Sequence, residues 1–384
     1  ELFFVARDAQ GRSVNRMQSF FCVQPGEITC CIGCHENRTE SPPTVVALSK
    51  ALSRPPQAVS AIPDVPDVFD FPRDIQPILD RHCVGCHDYG ATEHGGPRAG
   101  GVVLTSDRGP WFSHSYATLF MHDLISHGDN RSQSNYAPRT LGSSSSRLLE
   151  LTDGNHHGAR LTERETQLLA LWIDVGANFA GTYAALGTGM LGFNTDTPET
   201  DKLLRNTYWR RCRECHQGPS ALPWNNFQNI GHAWHGKAMD GEFVSRIPTE
   251  DPARRLSGHV AFNLSRPAKS TLLLAPLAKE AGGYGICEGR SGRSVFKAVA
   301  DPDYLKLLGC MRDYRAALHQ TTRFDMASFR PHPTYVSEMQ RYGILPNSIN
   351  PPEKPIDVYA ADRAYWNSFH KQLRPGHDKN SSEH

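Results

Sequence analysis

Apolar residues recur at helical spacing in two stretches of the chain. In FPRDIQPILDRHCVGCH, Ile75, Ile78 and Leu79 fall on one face of a predicted helix that leads directly into a C-x-x-C-H motif. Further along, Thr162 and Glu165 have the spacing of a capping box, which predicts the start of an amphipathic helix. The apolar face of this closing helix consists of Leu168, Leu169, Leu171, Trp172 and Ile173.

The first residues and the stretch before residue 70 follow other patterns. Phe3, Phe4 and Val5 lead into alternating polar residues, which predicts a short strand, as if a strand of a larger β unit had been cut. The later stretch TESPPTVVALSKALSRPPQAVSAIPDVPDVFDFP is punctuated by prolines and cannot hold a long helix, so we interpret it as a linker.

A weak internal repeat relates two parts of the chain. LLRNTYWRRCRECH matches the helix and motif described above, SRPAKSTLLLAPLAKEAGG matches SSSSRLLELTDG, and ADPDYLKLLGCMRDYRAAL matches the closing helix. The predicted fold is mainly α with short strands and long loops, in three segments: 1–66, 67–190 and 191–384. The aromatic and proline-rich stretch that begins at TRFDMASF is expected to wrap over a preceding domain.

Charge and hydropathy exclude some classes of partner. Lys and Arg number 41 and Asp and Glu 40, so a net charge of +1 offers no general attraction to nucleic acid or anionic lipid. No run reaches the roughly 18 apolar residues of a membrane span, and ELFFVARDAQGR lacks the basic head and cleavage site of a signal peptide. We expect a soluble chain without a membrane span. Because it begins without Met, it is either a processed product or the ordered part of something longer.

The ten cysteines carry the clearest chemical signal. Six of them lie in three C-x-x-C-H motifs, whose residues are Cys31, Cys34 and His35; Cys83, Cys86 and His87; and Cys212, Cys215 and His216. Two thiols three positions apart on one helical turn can form thioethers to the two vinyl groups of one haem, and the next residue offers an imidazole to the iron. A disulfide or half of a zinc site is the alternative, but zinc needs two more ligands for each pair.

The motifs therefore predict three covalently bound haem c groups, with His35, His87 and His216 as iron ligands. The closing helix is expected to pack on the second haem. Haem attachment of this kind takes place outside the cytoplasm, which predicts a periplasmic or otherwise extracytoplasmic location where disulfides persist. The remaining cysteines either pair, as Cys22 with Cys30 and Cys287 with Cys310, or are buried free thiols.

The chain also resembles known families. IQPILDRHCVGCH and LTERETQLLALWIDVGA are similar to the ends of cytochrome c domains of the planctomycete type. QPGEITCCIGCHENRTESPP, DRGPWFSHSYATLF, NLSRPAKSTLLLAPLAKEAGGYG, RFDMASFRPHPTYVSEMQRYGILP and DRAYW together resemble hydrazine synthase alpha subunit-related proteins, over almost the whole chain.

That second resemblance implies periplasmic haem chemistry and a β-propeller-like region before the first motif. In hydrazine synthases, a Tyr shortly after one motif binds the iron and the motif His binds zinc. Here the stretch after His35 is ENRTE, without a Tyr, so this arrangement is not carried over to the first haem.

The sixth ligand decides what each haem does, because a filled position favours electron transfer and an open one binds small molecules. In the cytochrome domains that the chain resembles, a distal Met precedes the closing helix; here that position holds His156 and His157, with His156 favoured. For the third haem the candidates are His259 first, then His232, His235, His332 and Met326. The first haem has no named ligand. His82 is expected to be a propionate or surface partner.

Three functions stay open at this point. The favoured one is electron transfer by a triheme c-type cytochrome, with one or more redox proteins as partners. The second is a hydrazine synthase-like redox enzyme that acts on small nitrogen compounds at an open first haem, where only Glu36 and Glu40 offer acid–base groups. The third is a haem-stapled structural subunit, for which other subunits of a larger assembly would be the partners.

Overall fold

A computed structural model describes residues 2–17, 20–23, 60–127, 136–185, 198–216, 260–289, 292–348 and 355–368. Among these residues the protein is mainly helical, with its strands in one small antiparallel sheet, which confirms the predicted balance of helix and short strand. Several predicted site residues lie outside the described ranges: Cys30, Cys31, Cys34, His35, Glu36, Glu40, His232, His235 and His259.

The described α-helices range in length from four residues to 20 residues. The strands are β1 (Val5–Arg7) and β2 (Ser13–Arg16). The α-helices are α1 (Gln76–His82), α2 (His114–Met121), α3 (Arg147–Glu150), α4 (Glu163–Asp174), α5 (Pro198–Arg211), α6 (Thr271–Leu274), α7 (Pro302–Thr321), α8 (Pro333–Arg341) and α9 (Val358–Ser368). None of the described helices is long and apolar enough to cross a membrane.

The N-terminal hairpin packs on the second segment of the chain. Val5 pairs with Arg16, so the predicted strand begins at Val5 rather than at Phe3. Ser13 is fully buried, and its amide donates to the hydroxyl of Ser143 over 2.8 Å. The hairpin is therefore tied by specific hydrogen bonds to the unit that contains the second motif.

The second unit, which spans residues 67–190, is built around the two helices that the sequence predicts. Ile75, Ile78 and Leu79 are all buried, as the helical spacing requires. Helix α4 begins with the predicted capping box, in which Thr162 and Glu165 each accept a hydrogen bond from the backbone amide of the other. The two helices meet in one apolar core that also contains the fully buried Trp172.

In the third unit, which spans residues 191–384, the described helices follow part of the order found in the second. Helix α5 leads into the third motif and packs on the closing helix α7, as α1 and α4 share one core in the second unit. Between them, the 3-10 turn Pro267–Lys269 precedes α6, just as the turn Gly142–Ser144 precedes α3. Asp301 caps α7 by accepting a hydrogen bond from the amide of Asp303 over 2.8 Å.

The C-terminal stretch returns to the second unit. Tyr359 donates to the carboxylate of Asp70 over 2.7 Å, and Thr182 donates to the carboxylate of Asp362 over the same distance. Arg323 is fully buried and donates to the carbonyl oxygens of Gly109 and Pro110. Helices α8 and α9 thus cover part of the second unit.

Candidate cofactor site

The second C-x-x-C-H motif forms one tight turn at the end of α1. The amide of Cys83 donates to the carbonyl of Leu79 over 2.8 Å, and the amide of His87 donates to the carbonyl of Cys83 over 2.9 Å. The amide of Cys86 also donates to the carbonyl of Cys83, over 3.1 Å. Helix α1 therefore delivers both thiols and the imidazole to one local surface.

The third motif has the same backbone hydrogen bonds. The amide of Cys212 donates to Tyr208 over 2.9 Å, and the amides of Cys215 and His216 donate to Cys212 over 3.2 and 2.9 Å. In the second and third motifs the first cysteine is half-buried and the second is exposed. Burial raises the pKa of Cys83 to about 11 and that of Cys212 to about 12. The shared geometry is notable because the residues between the cysteines differ, VG against RE.

A cavity of about 970 Å³ opens beside the second motif. This volume lies in the upper part of the range of roughly 300–1,000 Å³ that is typical of cofactor and ligand sites. Cys83, Cys86 and His87 line it together with His156 and His157. Its apolar wall consists of Val102, Leu104, Leu124, Leu148, Leu151 and Ala159.

His87 presents one ring nitrogen for coordination. Its Nδ1 lies 3.1 Å from the carbonyl oxygen of Val102, which can only accept, so Nδ1 carries the proton and Nε2 keeps a free lone pair. Burial lowers the pKa of His87 and outweighs the bond to Val102, while His156 and His157 lower the pKa further. A neutral imidazole whose second nitrogen donates to a backbone carbonyl is the usual form of a metal-binding histidine.

His156 also lines this cavity. Its ring and that of His87 are nearly parallel, with an interplanar angle of 24° and a centroid separation of 5.9 Å. Two metal–nitrogen bonds of about 2.0 Å would place the centroids of two axial imidazoles roughly 6 Å apart. The ring of His157 lies 4.8 Å from that of His156, and its φ of +48° is a strained conformation for a residue other than glycine.

The residues at this site fit a covalently attached haem. Two thiols at the required spacing, an imidazole with a free Nε2 and a second imidazole at axial separation all line one cavity of suitable size. Among the described residues, no group of three or more His, Cys, Asp and Glu side chains is arranged to hold a metal ion by itself.

Two neighbouring side chains have structural roles. His82 lies 3.2 Å from both carboxylate oxygens of Glu165 and also lines the cavity, so it contacts the site without being aligned with His87. Burial would raise the pKa of Glu165, but hydrogen bonds from Thr162, Arg81 and His82 outweigh burial and lower this pKa to about 2. None of the residues of α4 lines the cavity, so the expectation that the closing helix packs on the second haem is wrong. Leu169, Trp172 and Ile173 of the helix instead belong to the apolar core that also contains residues of α1.

The other predicted ligands and cysteines have these positions. His332 caps α8, where its Nδ1 accepts from the amide of Thr334 over 3.2 Å. Met326 is buried in the apolar core of the third unit. Cys287 and Cys310 are free thiols, and Cys310 is buried on α7, so the predicted disulfide between them is absent and the buried-thiol alternative holds for Cys310. Cys22 is a free, exposed thiol.

The sequence did not predict a buried polar network that joins the second and third units. His114 and Asn263 are both fully buried. The Tyr89 hydroxyl bonds His114 Nδ1, and His114 Nε2 lies 3.2 Å from the carbonyl of Phe262. Because that carbonyl only accepts, Nε2 carries the proton and Nδ1 accepts from Tyr89, so a neutral ring satisfies every partner.

Charged groups close the same network. Arg266 pairs with Asp107 over 2.5 Å, and Asn263 donates to Asp107 over 2.9 Å. Burial lowers the pKa of His114 to about 4, against the opposing effect of Asp107. Two stretches that carry the family resemblance supply most of this network. DRGPWFSHSYATLF contains Asp107 and His114, and NLSRPAKS contains Asn263 and Arg266.

The second and third units thus share a repeated motif geometry and a common polar interface. No family model, no curated protein and no solved structure matches the chain.

Proposed function

We propose that the protein is a triheme c-type cytochrome that transfers electrons in the periplasm, with tandem cytochrome c-like units in its second and third segments. The observation that carries the proposal is the close approach of the His87 and His156 rings in the cavity that Cys83 and Cys86 also line. In this proposal Cys83 and Cys86 would hold a haem by thioethers, and His87 and His156 would bind its iron. The haem supplies one-electron redox chemistry.

The third motif supports the same role for Cys212, Cys215 and His216, because its backbone hydrogen bonds match those of the second motif. Cys31, Cys34 and His35 extend the proposal to a third haem by sequence alone. The resemblance to hydrazine synthase alpha subunit-related proteins is part of the proposal and agrees with a periplasmic site of haem attachment.

Electron transfer is favoured over an enzyme at the second site because His156 gives the cavity a second imidazole beside that of His87. Leu104, Leu124 and Leu148 give the cavity an apolar wall. Two histidine ligands lower the reduction potential relative to a Met/His pair. In this proposal His87, His156 and the apolar wall bind, orient and shield the redox group.

The test is the number of haems per chain. The protein is produced with a periplasmic haem-attachment system, and a pyridine haemochrome assay and the intact mass are measured. We expect three haems, and two in the Cys83→Ser, Cys86→Ser double variant. Cys22→Ser is the matched control and keeps three, because Cys22 belongs to no motif. Unmodified thiols at Cys83 and Cys86, or zinc bound by them, would overturn the proposal.

Carbon monoxide binding to the reduced protein separates electron transfer from the enzyme alternative. Binding that disappears in the Cys31→Ser, Cys34→Ser variant would indicate the open first haem of the enzyme, and no binding at any haem argues against it. A six-coordinate second haem does not bind carbon monoxide in the reduced protein, whereas an open one does. Binding that persists in the Cys31→Ser, Cys34→Ser variant and disappears in the Cys83→Ser, Cys86→Ser variant would contradict the assignment of His156 as an axial ligand.

A further inference from the structure

The loop that follows the second motif holds the axial histidine and also forms the interface with the third unit. Within this loop Val102 accepts the hydrogen bond from His87, and the next residue, Val103, is 2% exposed. Val103 belongs to a small buried cluster with Tyr89, Leu274 and Tyr284. The two valines therefore connect the ligand's hydrogen bond directly to the packing of the third unit.

Tyr284 of the third unit contacts this loop at both ends. Its ring packs in the cluster with Val103, and its hydroxyl donates to the backbone carbonyl of Tyr89 over 3.0 Å. Tyr89 lies two residues after His87, and Val103 lies one residue after Val102. Tyr284 is itself 1% exposed, so it has little freedom to move without moving the loop.

The same loop also lies close to the third unit at Glu93 and Gly95. A Cβ atom added at Gly95 would lie 2.2 Å from the carbonyl oxygen of Tyr284, and Lys279 donates to the carbonyl of Glu93 over 2.6 Å. The loop is thus held against the third unit along its length.

We propose that the third unit tunes the redox group of the second unit through Tyr284 and Leu274, which position the carbonyl of Val102 against His87. The inference rests on the proposed function. A hydrogen bond from Nδ1 to a carbonyl makes an imidazole a stronger electron donor, and a stronger donor favours the oxidised metal. Loosening the loop weakens that bond, so the reduction potential of the second haem rises.

The experiment compares reduction potentials of the full chain, measured by spectroelectrochemistry, for variants at the interface. Tyr284→Phe removes only the hydroxyl that binds Tyr89, and Leu274→Ala removes packing against Val103. We expect each to raise the ferrous-to-ferric ratio of the second haem at a fixed applied potential, on the order of threefold, while the other haems stay unchanged. The redox transition of the second haem is identified as the transition that His156→Ala alters.

Each variant has a matched control in the same unit. Leu273→Ala removes the neighbouring leucine of α6, which is buried in the third unit's own core rather than at the interface. Tyr304→Phe removes the hydroxyl of another buried tyrosine in that core. Both control variants should leave the reduction potential of the second haem unchanged.

The outcomes separate this inference from the proposed function. Three haems per chain with no shift in Tyr284→Phe and Leu274→Ala would overturn the tuning role alone. An equal shift in Leu273→Ala would also overturn it, because general loosening of the third unit would then be the cause. If Leu274→Ala fails to fold, Tyr284→Phe decides the question. A missing second haem in the unaltered protein would instead overturn the proposed function.

Discussion

Asn263 in the third unit donates a hydrogen bond from Nδ2 to the hydroxyl of Tyr89 in the second unit, over 2.9 Å. The same amide donates to Asp107 over 2.9 Å, and its Oδ1 accepts from the backbone amides of Ser265 and Arg266. Every polar atom of this fully buried side chain therefore has a partner, and the partners come from both units.

Asn263→Ala is expected to lower the free energy of unfolding by about 3 kcal/mol, because the backbone amides of Ser265 and Arg266, the Tyr89 hydroxyl and the Asp107 carboxylate lose a partner at once. Denaturant unfolding, followed by circular dichroism, measures the change. Asn206→Ala is the control, since Asn206 is exposed on α5 and should change stability by less than about 0.5 kcal/mol. Equal losses in the two variants would contradict the role of the network in joining the units.

The stability of the protein should fall as pH decreases from about 6.5 to about 4, because of His114. Burial lowers the pKa of His114 to about 4, so the unfolded chain binds a proton in this interval and the folded protein does not. Proton uptake by the unfolded state favours unfolding. At 1.36 kcal/mol for each pKa unit, the contribution of this group is about 3 kcal/mol, present above pH 6.5 and lost at pH 4.

His114→Gln removes the titrating group and should flatten this part of the pH profile. Asp107 raises the pKa of His114, whereas Arg266 and Arg323 lower it, and all three stay charged in the interval. Glu165 has a pKa near 2, so its contribution is lost mainly at lower pH. A wild-type profile that is level between pH 6.5 and 4.5 would show that His114 does not titrate in this way.

His156→Ala should convert the second haem from a low-spin to a high-spin spectrum, because it removes the imidazole that lies parallel to His87. His157→Ala is the neighbouring control and should leave the low-spin spectrum in place. Electron paramagnetic resonance of the oxidised protein distinguishes the two states. The reverse result, with His157→Ala as the disruptive change, would assign the ligand to the other histidine.

Local patterns in the sequence were sufficient to predict some elements of the second unit. Helical spacing predicted the buried face of Ile75, Ile78 and Leu79, and the Thr162–Glu165 spacing predicted the start of α4. Both features depend on interactions between residues at most four positions apart, which periodicity and capping rules describe well. The matching backbone hydrogen bonds of the two described motifs are local in the same sense.

Long-range contacts were beyond such patterns. Asp107 and Arg266 are 159 residues apart, and the residues around each of them give no sign that the two side chains pair. The closing helix was expected at the haem because its face is apolar, but an apolar face fits a protein core equally well, and the apolar residues of α4 belong to the core of the second unit. Cys287 and Cys310 are close in sequence, yet Cys310 faces the core of the third unit, where a free thiol packs as a small apolar group.

Gly95 and Gly96 provide a test of how tightly the two units meet. Both have positive φ, +83° and +73°, so an alanine at either position costs about 1–2 kcal/mol of backbone strain. Only at Gly95 does the added Cβ also collide, 2.2 Å from the carbonyl oxygen of Tyr284 and 2.7 Å from Cγ2 of Ile286. At Gly96 nothing lies within 4 Å.

Gly95→Ala should therefore lower the free energy of unfolding by more than Gly96→Ala, by about 2 kcal/mol, because overpacking at a rigid backbone contact adds to the strain. The collision forces the loop away from Tyr284, so the variant should also expose the cluster of Tyr89, Val103, Leu274 and Tyr284 to solvent. Faster amide hydrogen exchange at Tyr284 in Gly95→Ala than in Gly96→Ala would report that exposure. Equal stability and equal exchange in the two variants would mean that the loop does not press on the third unit at this point.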